Sequence, residues 1–463
     1  MNSTKNKNKI SLRLGLIATV WLFAVGTVQA DDPAKATART SPDWLRNGVI
    51  YEIFPRDFSA AGDLKGVTAK LDQLKDLGVT VLWLMPIHPI GEKGRKGDYG
   101  SPYSIKDYYA VDPNYGTLDD FKTLVAEAHK RGLKVVMDLV ANHTSWDSVM
   151  MTNKNFYKQD AQGNVISPDP GWTDVAGLNY ANPELREYII TMLKYWIQTC
   201  DIDGYRCDVA WGVPVDFWEQ ARAALEKTKP DIMMLAEASQ PNLLTNAFDV
   251  DYSWPLLHTL NDVLAHGAPA TKLQTTWQEN SRLFPTNSLH LTISDDHDES
   301  RAVARFGVQG ALAASALMFS LDGVPLLYNG MEVGDATESG DPALFDKLPI
   351  VWNPRERPPL REIYRSLIQL RKQYPAFSNN HVIWLKNSDP SNVVTLMRQD
   401  DKDEFVIVIN FSNRPITGKV EVMNGQDFQP VPISGIPKPP AGHFPLLQLG
   451  GFEWRIYHRT VSH

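Results

Sequence analysis

The segment Gly204-Tyr205-Arg206-Cys207-Asp208-Val209-Ala210-Trp211 carries the strongest indication of both fold and chemistry. Its first residues favour a strand, because tyrosine, cysteine and valine suit a pleated, half-buried surface and the glycine marks the start. Residues two apart on a strand share a face, so Arg206 and Asp208 are predicted to lie side by side. The arginine would pair with the carboxylate and keep it ionised at neutral pH. Such a pair is either a nucleophilic site or a structural ion pair, and this segment alone does not separate the two.

Strands and helices alternate on both sides of this segment, which favours βα units and a parallel sheet. The spacing is that of a (β/α)8 barrel, in which about 250 residues give about 31 per unit. Phe54 and Met85 are 31 residues apart, and Asp208 and Glu237 are 29 apart. Eight strands are predicted, at residues 49–54, 79–84, 135–140, 204–208, 232–236 and 248–251, ahead of Asp298, and at 324–328. Helices are predicted at residues 64–77, 117–131, 182–199 and 361–372.

Two further regions lie outside the regular barrel units. The interval between Asp138 and Asp208 is 70 residues, and its surplus at residues 144–180 lacks a helical period and is rich in Trp, Asn and Pro. We expect this excursion to stand over the barrel mouth. Short strands at residues 393–397, 405–411, 420–423 and 452–457, separated by turn residues, predict a C-terminal all-β sandwich at residues 379–463. The predicted fold class is therefore α/β: a (β/α)8 TIM barrel at residues 31–378, with the excursion after strand three and the sandwich behind it.

The first 30 residues have the layout of a secretory signal peptide. Four basic residues precede an apolar run at residues 14–28, which ends in small residues at Ala30. The run is shorter than the roughly 20 residues of a membrane span, which argues against a stable membrane anchor. We therefore expect export, either periplasmic or secreted, with cleavage near Ala30.

Charge and cysteine content exclude several classes of partner. Removing those four positive charges moves the net charge from −8 to −12. An acidic chain without basic runs binds nucleic acid poorly, so no such partner is expected. The only cysteines, Cys200 and Cys207, form no CxxC motif or Cys/His cluster, which argues against zinc. Export permits a disulfide between them, but their places on a helix end and a strand favour two packed, unpaired thiols.

Four acidic residues are predicted at the carboxyl ends of the strands, where barrel enzymes carry out their chemistry. They are Asp138, Asp208, Glu237 and Asp298, with His143 and His297 close by in sequence. Four acids around one rim repel one another, which is costly unless the chemistry uses them. Paired carboxylates that act as nucleophile and as acid/base are typical of glycoside cleavage. Aromatic residues in the rim loops could stack on sugar rings, although each alone is as easily explained by packing: Tyr103, Trp146, Trp172, Trp211 and Trp254.

The sequence resembles the α-amylase family of glycoside hydrolases between about residues 49 and 372. Each motif is weak alone, but together they occur in the family's order and at barrel spacing. They are Asp138-Leu139-Val140-Ala141-Asn142-His143, Gly204-Tyr205-Arg206-Cys207-Asp208, Leu235-Ala236-Glu237-Ala238, His297-Asp298, Gly323-Val324-Pro325-Leu326-Leu327-Tyr328-Asn329-Gly330-Met331-Glu332, and Tyr103 within Ser101-Pro102-Tyr103-Ser104.

The resemblance implies a role for each matching residue. Asp208 would be the nucleophile, Glu237 the general acid/base, and Asp298 would steady the distorted sugar through its hydroxyls. The substrate-binding residues implied are Tyr103, which would stack under the sugar, Asp138, Arg206, which would hold Asp208 ionised, and the two histidines His143 and His297. Glu237 must carry a proton at the start, and neighbouring carboxylates would raise its pKa as that role requires.

Two departures from the family pattern affect these expectations. Asp296 stands where the family usually has Asn, which adds a negative charge beside the site. In many relatives a structural calcium ties the excursion to the barrel, but Gly177 here replaces an acid and Ala210-Trp211 replaces the usual Lys-His. Asn142 is retained and Asp174 lies close enough in sequence to substitute. No organic cofactor is implied, and structural calcium is doubted because the site is short of acids.

The sequence thus predicts an exported retaining hydrolase whose partner is an α-glucan or maltooligosaccharide substrate. Two other functions stay open at this point. A transglycosylase, which transfers or isomerises sugars, would use the same residues and pass the intermediate to a sugar hydroxyl. A non-catalytic α-glucan-binding protein would be expected to lose the acids, whereas Asp208, Glu237 and Asp298 are all present.

Overall fold

The computed structural model describes residues 32–337, 343–353, 360–438 and 444–461. The predicted signal peptide, residues 1–30, lies outside them. The strands in chain order are β1 (Ile50–Ile53), β2 (Val81–Leu84), β3 (Lys134–Val140), β4 (His143–Ser145), β5 (Val175–Gly177), β6 (Gly204–Asp208), β7 (Met233–Ala236), β8 (Val250–Tyr252), β9 (His290–Thr292), β10 (Val324–Tyr328), β11 (Ile383–Trp384), β12 (Val393–Gln399), β13 (Asp403–Asn410), β14 (Ile416–Lys419), β15 (Gln429–Pro430), β16 (Leu446–Leu449) and β17 (Trp454–Thr460).

Eight of these strands form the predicted closed parallel barrel, in the order β1-β10-β9-β8-β7-β6-β3-β2. Fold class and strand count are confirmed. Two predicted strand ends are wrong. Asp138 lies inside β3, where it pairs in register with Arg206 of β6. Asp298 lies six residues beyond the end of β9, because that strand is only three residues long.

The helices pack around the barrel. They are α1 (Asp43–Arg46), α2 (Pro55–Phe58), α3 (Leu64–Thr68), α4 (Leu71–Leu77), α5 (Leu118–Lys130), α6 (Pro183–Cys200), α7 (Val215–Glu226), α8 (Leu243–Asn246), α9 (Trp254–Leu264), α10 (Thr271–Leu283), α11 (Ala302–Ser320) and α12 (Arg361–Gln373). Helix α5 begins with a capping box, in which the side chains of Thr117 and Asp120 each accept from the other's backbone N–H. The helix predicted at residues 64–77 is wrong in one respect, because it is broken at Lys70 into α3 and α4.

The barrel interior has an apolar lower part and a polar upper part. The apolar part is built from alternate strand residues that are almost completely buried: Ile50, Val81, Trp83, Val136, Leu235, Val250, Tyr252, Leu291, Val324 and Leu326. One step further along the strands, Glu52, Asp138 and Arg206 replace apolar side chains, although each is at most 1% exposed. Buried charges need partners. This polar layer therefore marks the end of the barrel where a site is to be expected.

The excursion after β3 is a short antiparallel pair, β4 and β5, with loops and 3-10 turns between them. Trp146 holds its far end, because Nε1 donates to the carbonyl oxygen of Thr173 at 2.9 Å. Tyr108 ties its base to the barrel by donating to the carbonyl oxygens of Val140 and His143. The excursion thus stands over the carboxyl ends of the strands, as predicted.

The C-terminal strands form a five-stranded antiparallel sheet and a two-stranded sheet of β14 and β16. Their apolar faces pack together, with Val406 and Val408 of the larger sheet and Leu447 and Leu449 of the smaller one in one cluster. The strand predicted at residues 420–423 is wrong: β14 ends at Lys419, and Val420 makes only an isolated bridge to Asn387. The domain boundaries at residues 378 and 379 remain a prediction.

Two further features of the fold concern helix α11 and the two cysteines. Helix α11 is long and apolar enough to cross a membrane, but 67% of its most apolar window is buried inside the protein. Its φ/ψ at Gly307 is also not helical, so it packs as a broken core helix. Cys200 and Cys207 are both buried and unpaired.

Candidate active site

A cavity of about 330 Å³ opens at the carboxyl end of the barrel, beside the excursion. Five of the predicted site residues line it: Tyr103, His143, Asp208, Glu237 and Asp298. Its outer wall is formed by the excursion and the rim loops, through Lys96, Trp172, Asp174, Leu344 and Phe345. The cavity therefore has an acidic floor and a partly aromatic rim, in keeping with a sugar ligand.

Arg206 lies completely buried under this floor and joins three carboxylates. Its Nη1 lies 3.0 Å from Asp138 Oδ1 and 3.1 Å from Asp208 Oδ1, while Nη2 lies 2.9 Å from Glu237 Oε2. The sequence predicted the contact with Asp208 but neither of the other two. Because the guanidinium is shared, it neutralises only part of the charge on the three acids.

Asp208 ends β6 and presents one free oxygen. Among the described residues its Oδ2 has no hydrogen-bond partner, and His143 Nε2 lies 4.0 Å from it. Burial raises the pKa of Asp208 well above its ordinary value and the neighbouring Glu237 raises it further, whereas Arg206 opposes both. Arg206 therefore limits the rise without cancelling it. Because a charged Glu237 makes Asp208 harder to ionise, the pair favours a state with one proton, which is the state that paired acid and nucleophile chemistry requires.

Glu237 follows β7 directly and is fixed against the neighbouring strand. Its Oε2 accepts a hydrogen bond of 2.8 Å from the backbone N–H of Val209. Val209 has a positive φ of 45°, which is rare for a β-branched residue and places local backbone strain beside the site. Burial raises the pKa of Glu237; Arg206 opposes the rise and Asp298 adds to it.

His143 lines the cavity as a neutral side chain. Burial lowers its pKa to about 4, so the ring is uncharged at neutral pH. Its Nδ1 lies 3.4 Å from Asn142 Nδ2, an amide nitrogen that can only donate. The other ring nitrogen, Nε2, faces Asp208 Oδ2 at 4.0 Å.

Asp138, Arg206 and His297 do not line the cavity, although the resemblance implies that they bind sugar. His297 is only 1% exposed, and its Nε2 lies 2.7 Å from the hydroxyl of Tyr103 and 3.3 Å from Asp298 Oδ2. The Tyr103 hydroxyl also lies 3.2 Å from Asp138 Oδ2. These three residues thus lie behind the five that line the cavity, and their direct contact with a sugar stays a prediction.

The aromatic candidates separate in the same way. Tyr103 and Trp172 line the cavity. Trp211 and Trp254 do not line the cavity. Trp211 is 56% exposed, and Trp254 stacks on Tyr252. Trp146 serves the excursion, as described above. Tertiary packing decided between these residues, and no local sequence feature distinguished them.

The acidic residue that departs from the family pattern has a structural use. Asp296 is fully buried, and its Oδ1 accepts hydrogen bonds from the backbone N–H groups of Asp298 and Glu299. Burial raises its pKa well above the ordinary value and Asp298 raises it further, whereas His297 opposes the rise. A protonated carboxyl has the shape and the hydrogen-bonding capacity of an Asn amide, which explains how Asp296 can occupy this place.

The residues present do not fit the calcium site that the resemblance raises. Asp174 Oδ1 is paired with Lys96 Nζ at 3.2 Å, and Gly177 offers only a carbonyl oxygen, which accepts from the Lys158 N–H. Within the described ranges no group of three or more His, Cys, Asp or Glu side chains could hold a metal. Calcium prefers six to eight oxygens with several carboxylates. Calcium independence remains a prediction. Its physical reason is that Asp174, the acid that could have replaced the missing ligand, is paired with Lys96.

Sequence reasoning missed three residues that shape the site: Glu52, Lys96 and Val209. Glu52 of β1 contacts His297 from inside the barrel, with Oε1 2.5 Å from Nδ1. A signal was available for it, since it is the one charged residue in the strand Ile50-Tyr51-Glu52-Ile53. Lys96 and Val209 carry no comparable signal, because the pairing of Lys96 with Asp174 and the positive φ of Val209 are visible only in the folded chain.

Comparison with known proteins agrees with this architecture. Residues 36–165 and 171–404 match the family model described as "Alpha amylase, catalytic domain". That match covers the whole barrel, the excursion except for five residues, and the beginning of the C-terminal sheet.

Individual relatives are similar over most of the chain. A cyclomaltodextrinase from Geobacillus thermopakistaniensis is 28% identical over 81% of this chain and 70% of its own length. An intracellular maltogenic amylase from Bacillus subtilis is 27% identical over 82% of this chain and 71% of its own. The crystal structure of an alpha-amylase from Lactobacillus plantarum superimposes with a TM-score of 0.78 at 31% identity, over 90% of this chain and 99% of that one. The family model matches most of the chain, and the barrel and the site agree with it, so the chain belongs to the alpha-amylase family of glycoside hydrolases.

Proposed function

We propose that this enzyme is a retaining hydrolase of α-glucosidic bonds that works through a glucosyl or oligoglucosyl ester on Asp208. The observation that carries the proposal is the arrangement around Arg206, which contacts both Asp208 and Glu237 at the floor of the cavity. A structural ion pair would need no cavity above it and no second acid. Here the free oxygen of Asp208 and the carboxyl of Glu237 both belong to residues that line open space.

In the first step Asp208 Oδ2 attacks the anomeric carbon, and the bond from that carbon to the glycosidic oxygen breaks. Glu237 gives its proton to the departing oxygen, so the leaving sugar departs as an alcohol. In the second step Glu237 takes a proton from water, whose oxygen attacks the anomeric carbon. The ester bond breaks, Asp208 regains its charge and Glu237 its proton.

The other cavity residues would hold the sugar at the point of cleavage. Asp298 and the neutral His143 can hydrogen-bond sugar hydroxyls from two sides. Tyr103 and Trp172 offer ring faces to the apolar side of a glucose unit. Asp138, Arg206 and His297 would act from behind, by fixing the groups that touch the sugar.

We further propose maltooligosaccharides or cyclic α-glucans as the substrate class. The support is the activity for which two relatives are named, a cyclomaltodextrinase and a maltogenic amylase. The acidic floor also disfavours an anionic sugar, because three acids already compete for one guanidinium.

Product analysis tests the proposal. The purified enzyme is incubated separately with maltoheptaose and with β-cyclodextrin, and the products are separated by chromatography at several times. Shorter maltooligosaccharides support hydrolysis. Chains longer than the substrate would show transglycosylation instead, and an unchanged substrate would show a binding protein.

Export is a separate proposal, which rests on the pattern of residues 1–30. Expression of the full chain in a bacterium, followed by fractionation and N-terminal sequencing, tests it. A periplasmic or secreted protein that begins near Asp31 supports export. Activity confined to the cytosol with an intact N-terminus would contradict it.

A further inference from the structure

Glu52 is a buried carboxylate inside the barrel that the mechanism above does not use. It lies on β1, one step beyond Ile50 on the inward face, and is 0% exposed. Its register partners are Trp83 of β2 and Tyr328 of β10. Neither can neutralise its charge, and a buried carboxylate without a partner is costly.

The partner of Glu52 is His297, which lies in the loop after β9. Glu52 Oε1 lies 2.5 Å from His297 Nδ1. On the other side of the ring, Nε2 lies 2.7 Å from the Tyr103 hydroxyl and 3.3 Å from Asp298 Oδ2. Trp83 packs edge-on against the same ring, at 5.8 Å between centroids, and closes it off from below.

These contacts indicate which nitrogens of the His297 ring carry a proton. A carboxylate accepts, so Nδ1 donates to Glu52. The Tyr103 hydroxyl gives its own proton to Asp138 Oδ2, 3.2 Å away, so its oxygen accepts from Nε2. This pattern of donors and acceptors fits a His297 that carries protons on both ring nitrogens, as an imidazolium between the carboxylates of Glu52 and Asp298.

We propose that Glu52 is a positioning residue, which keeps His297 in this doubly protonated form and thereby orients Asp298 and Tyr103 at the cavity. The proposal rests on the proposed function, because it assigns a purpose to residues of that same site. A hydrogen bond alone would orient the ring, whereas the negative charge of Glu52, together with that of Asp298, would keep both nitrogens protonated.

The surrounding charges agree with this account. Burial acts to lower the pKa of His297, but Asp298 and Glu52 outweigh it and raise the pKa to about 10. Titratable groups face the ring from several elements: Glu52 on β1, Tyr103 after β2, Asp138 on β3, Arg206 on β6, Glu237 after β7, and Asp296 and Asp298 in its own loop. Arg206 opposes protonation, and a second small cavity beside the ring is lined by Asp57, Arg301, Tyr328 and Asp335.

The test is Glu52→Gln. Glutamine keeps an oxygen that accepts from Nδ1 but removes the charge, so the ring should lose its second proton at a lower pH. The matched control is Glu332→Gln. Glu332 is also buried and accepts from the hydroxyl of Tyr51, the neighbour of Glu52, at 2.7 Å. It does not touch His297, so this control should leave the histidine unchanged.

Nitrogen and proton NMR of histidine-labelled enzyme reads the ring directly, with His297→Gln used to assign its signals. In the parent and in Glu332→Gln, both N–H signals of His297 should persist at pH 8. In Glu52→Gln one of them should be lost there, and the alkaline limb of kcat should move down by at least about two pH units, which is a hundredfold change in the protonation equilibrium. A neutral His297 in the parent at pH 8 would overturn the proposal, even if Glu52→Gln failed to fold. Unchanged signals in a folded Glu52→Gln would also overturn it.

The NMR result needs no substrate, so inactivity on every α-glucan would refute the proposed function and leave this inference to be judged by itself.

Discussion

The carboxylate of Glu237 accepts a hydrogen bond from the backbone N–H of Val209, with 2.8 Å between Oε2 and the nitrogen. Val209 directly follows Asp208, so this bond ties the proposed acid/base to the strand that carries the proposed nucleophile. It also occupies Oε2, which leaves Oε1 as the oxygen that can carry the transferable proton. The two carboxyls are thus held by one backbone turn and one guanidinium.

The first prediction concerns that proton. Glu237→Gln keeps the bond from Val209 but cannot donate to a leaving group, so kcat on maltoheptaose should fall by about 10²- to 10⁴-fold. Fluoride is a good leaving group that needs no acid, so the initial burst of fluoride from α-glucosyl fluoride should survive. Stopped-flow measurement of fluoride release checks this. A burst slowed as much as the maltoheptaose reaction would contradict the role of Glu237 as the acid.

The second prediction is stereochemical. In retaining enzymes the two carboxyls lie about 5–5.5 Å apart and the second displacement restores the original configuration. Newly released sugar should therefore appear first as the α-anomer. Proton NMR recorded before mutarotation checks this, with the mutarotation rate of added maltose as the reference. Early β-anomer would show inversion and exclude the ester on Asp208.

The third prediction concerns Asp296. The raised pKa of this acid means that folding takes up a proton at pH values between its ordinary value of 3.8 and the folded pKa, so the stability of the parent declines as the pH rises through that window. Asp296→Asn cannot titrate. It should be at least as stable as the parent at pH 8, with an advantage that shrinks as the pH falls towards 4, and it should keep activity within about tenfold.

Thermal unfolding at pH 5 and pH 8 measures this difference. The control is Asp295→Asn, which removes the partner of Arg301 (3.3 Å between Oδ2 and Nε) and should destabilise the enzyme at both pH values. An Asp296→Asn variant that is less stable than the parent at pH 8 would show that the fold needs the charge.

The fourth prediction concerns calcium. Asp174 is paired with Lys96, and the excursion is held by hydrogen bonds such as that from Trp146 to Thr173. A ligand that binds only the folded state must raise the melting temperature by mass action. Midpoints in excess calcium and in excess chelator should therefore be equal, with magnesium at the same ionic strength as the control. A drop of many degrees in chelator would reveal a calcium site.

The fold was predictable because its signals are local and repeated. Apolar strands recur about every 31 residues, and glycines such as Gly78, with a φ of 104°, end the helices between them. The pair Arg206 and Asp208 was predictable for the same reason, since two residues on one strand need no tertiary knowledge. Short strands were harder to place: β9 spans three residues, so Asp298 seemed to lie at its end.

The contacts that the sequence could not predict join distant parts of the chain. Glu52 and His297 are 245 residues apart, and Arg206 and Asp138 are 68 apart. Only the register of a closed barrel brings these pairs together. Folding also separates residues that are close in the sequence. Asp208 and Val209 line the cavity, whereas Trp211 is exposed to solvent.

The last prediction is the central one, that Asp208 is the residue which carries the sugar. Asp208→Asn keeps the shape of the side chain and removes its nucleophilicity, so kcat should fall by about 10⁴-fold or more. Asp174→Asn is the matched control, since Asp174 lines the same cavity and should keep kcat within about tenfold. Asp208→Asn with kcat within tenfold of the parent would contradict the assignment.

The most direct measurement is the mass of the enzyme during turnover. Glu237→Gln is mixed with α-glucosyl fluoride, so that the ester forms without an acid but is hydrolysed slowly without a base, and the enzyme is quenched in acid and digested. The account predicts that the peptide containing Asp208 gains the mass of one glucosyl unit, and that the Asp208→Asn, Glu237→Gln double variant gains none. A glucosyl unit on a different residue, or fluoride release without any labelled peptide, would contradict it.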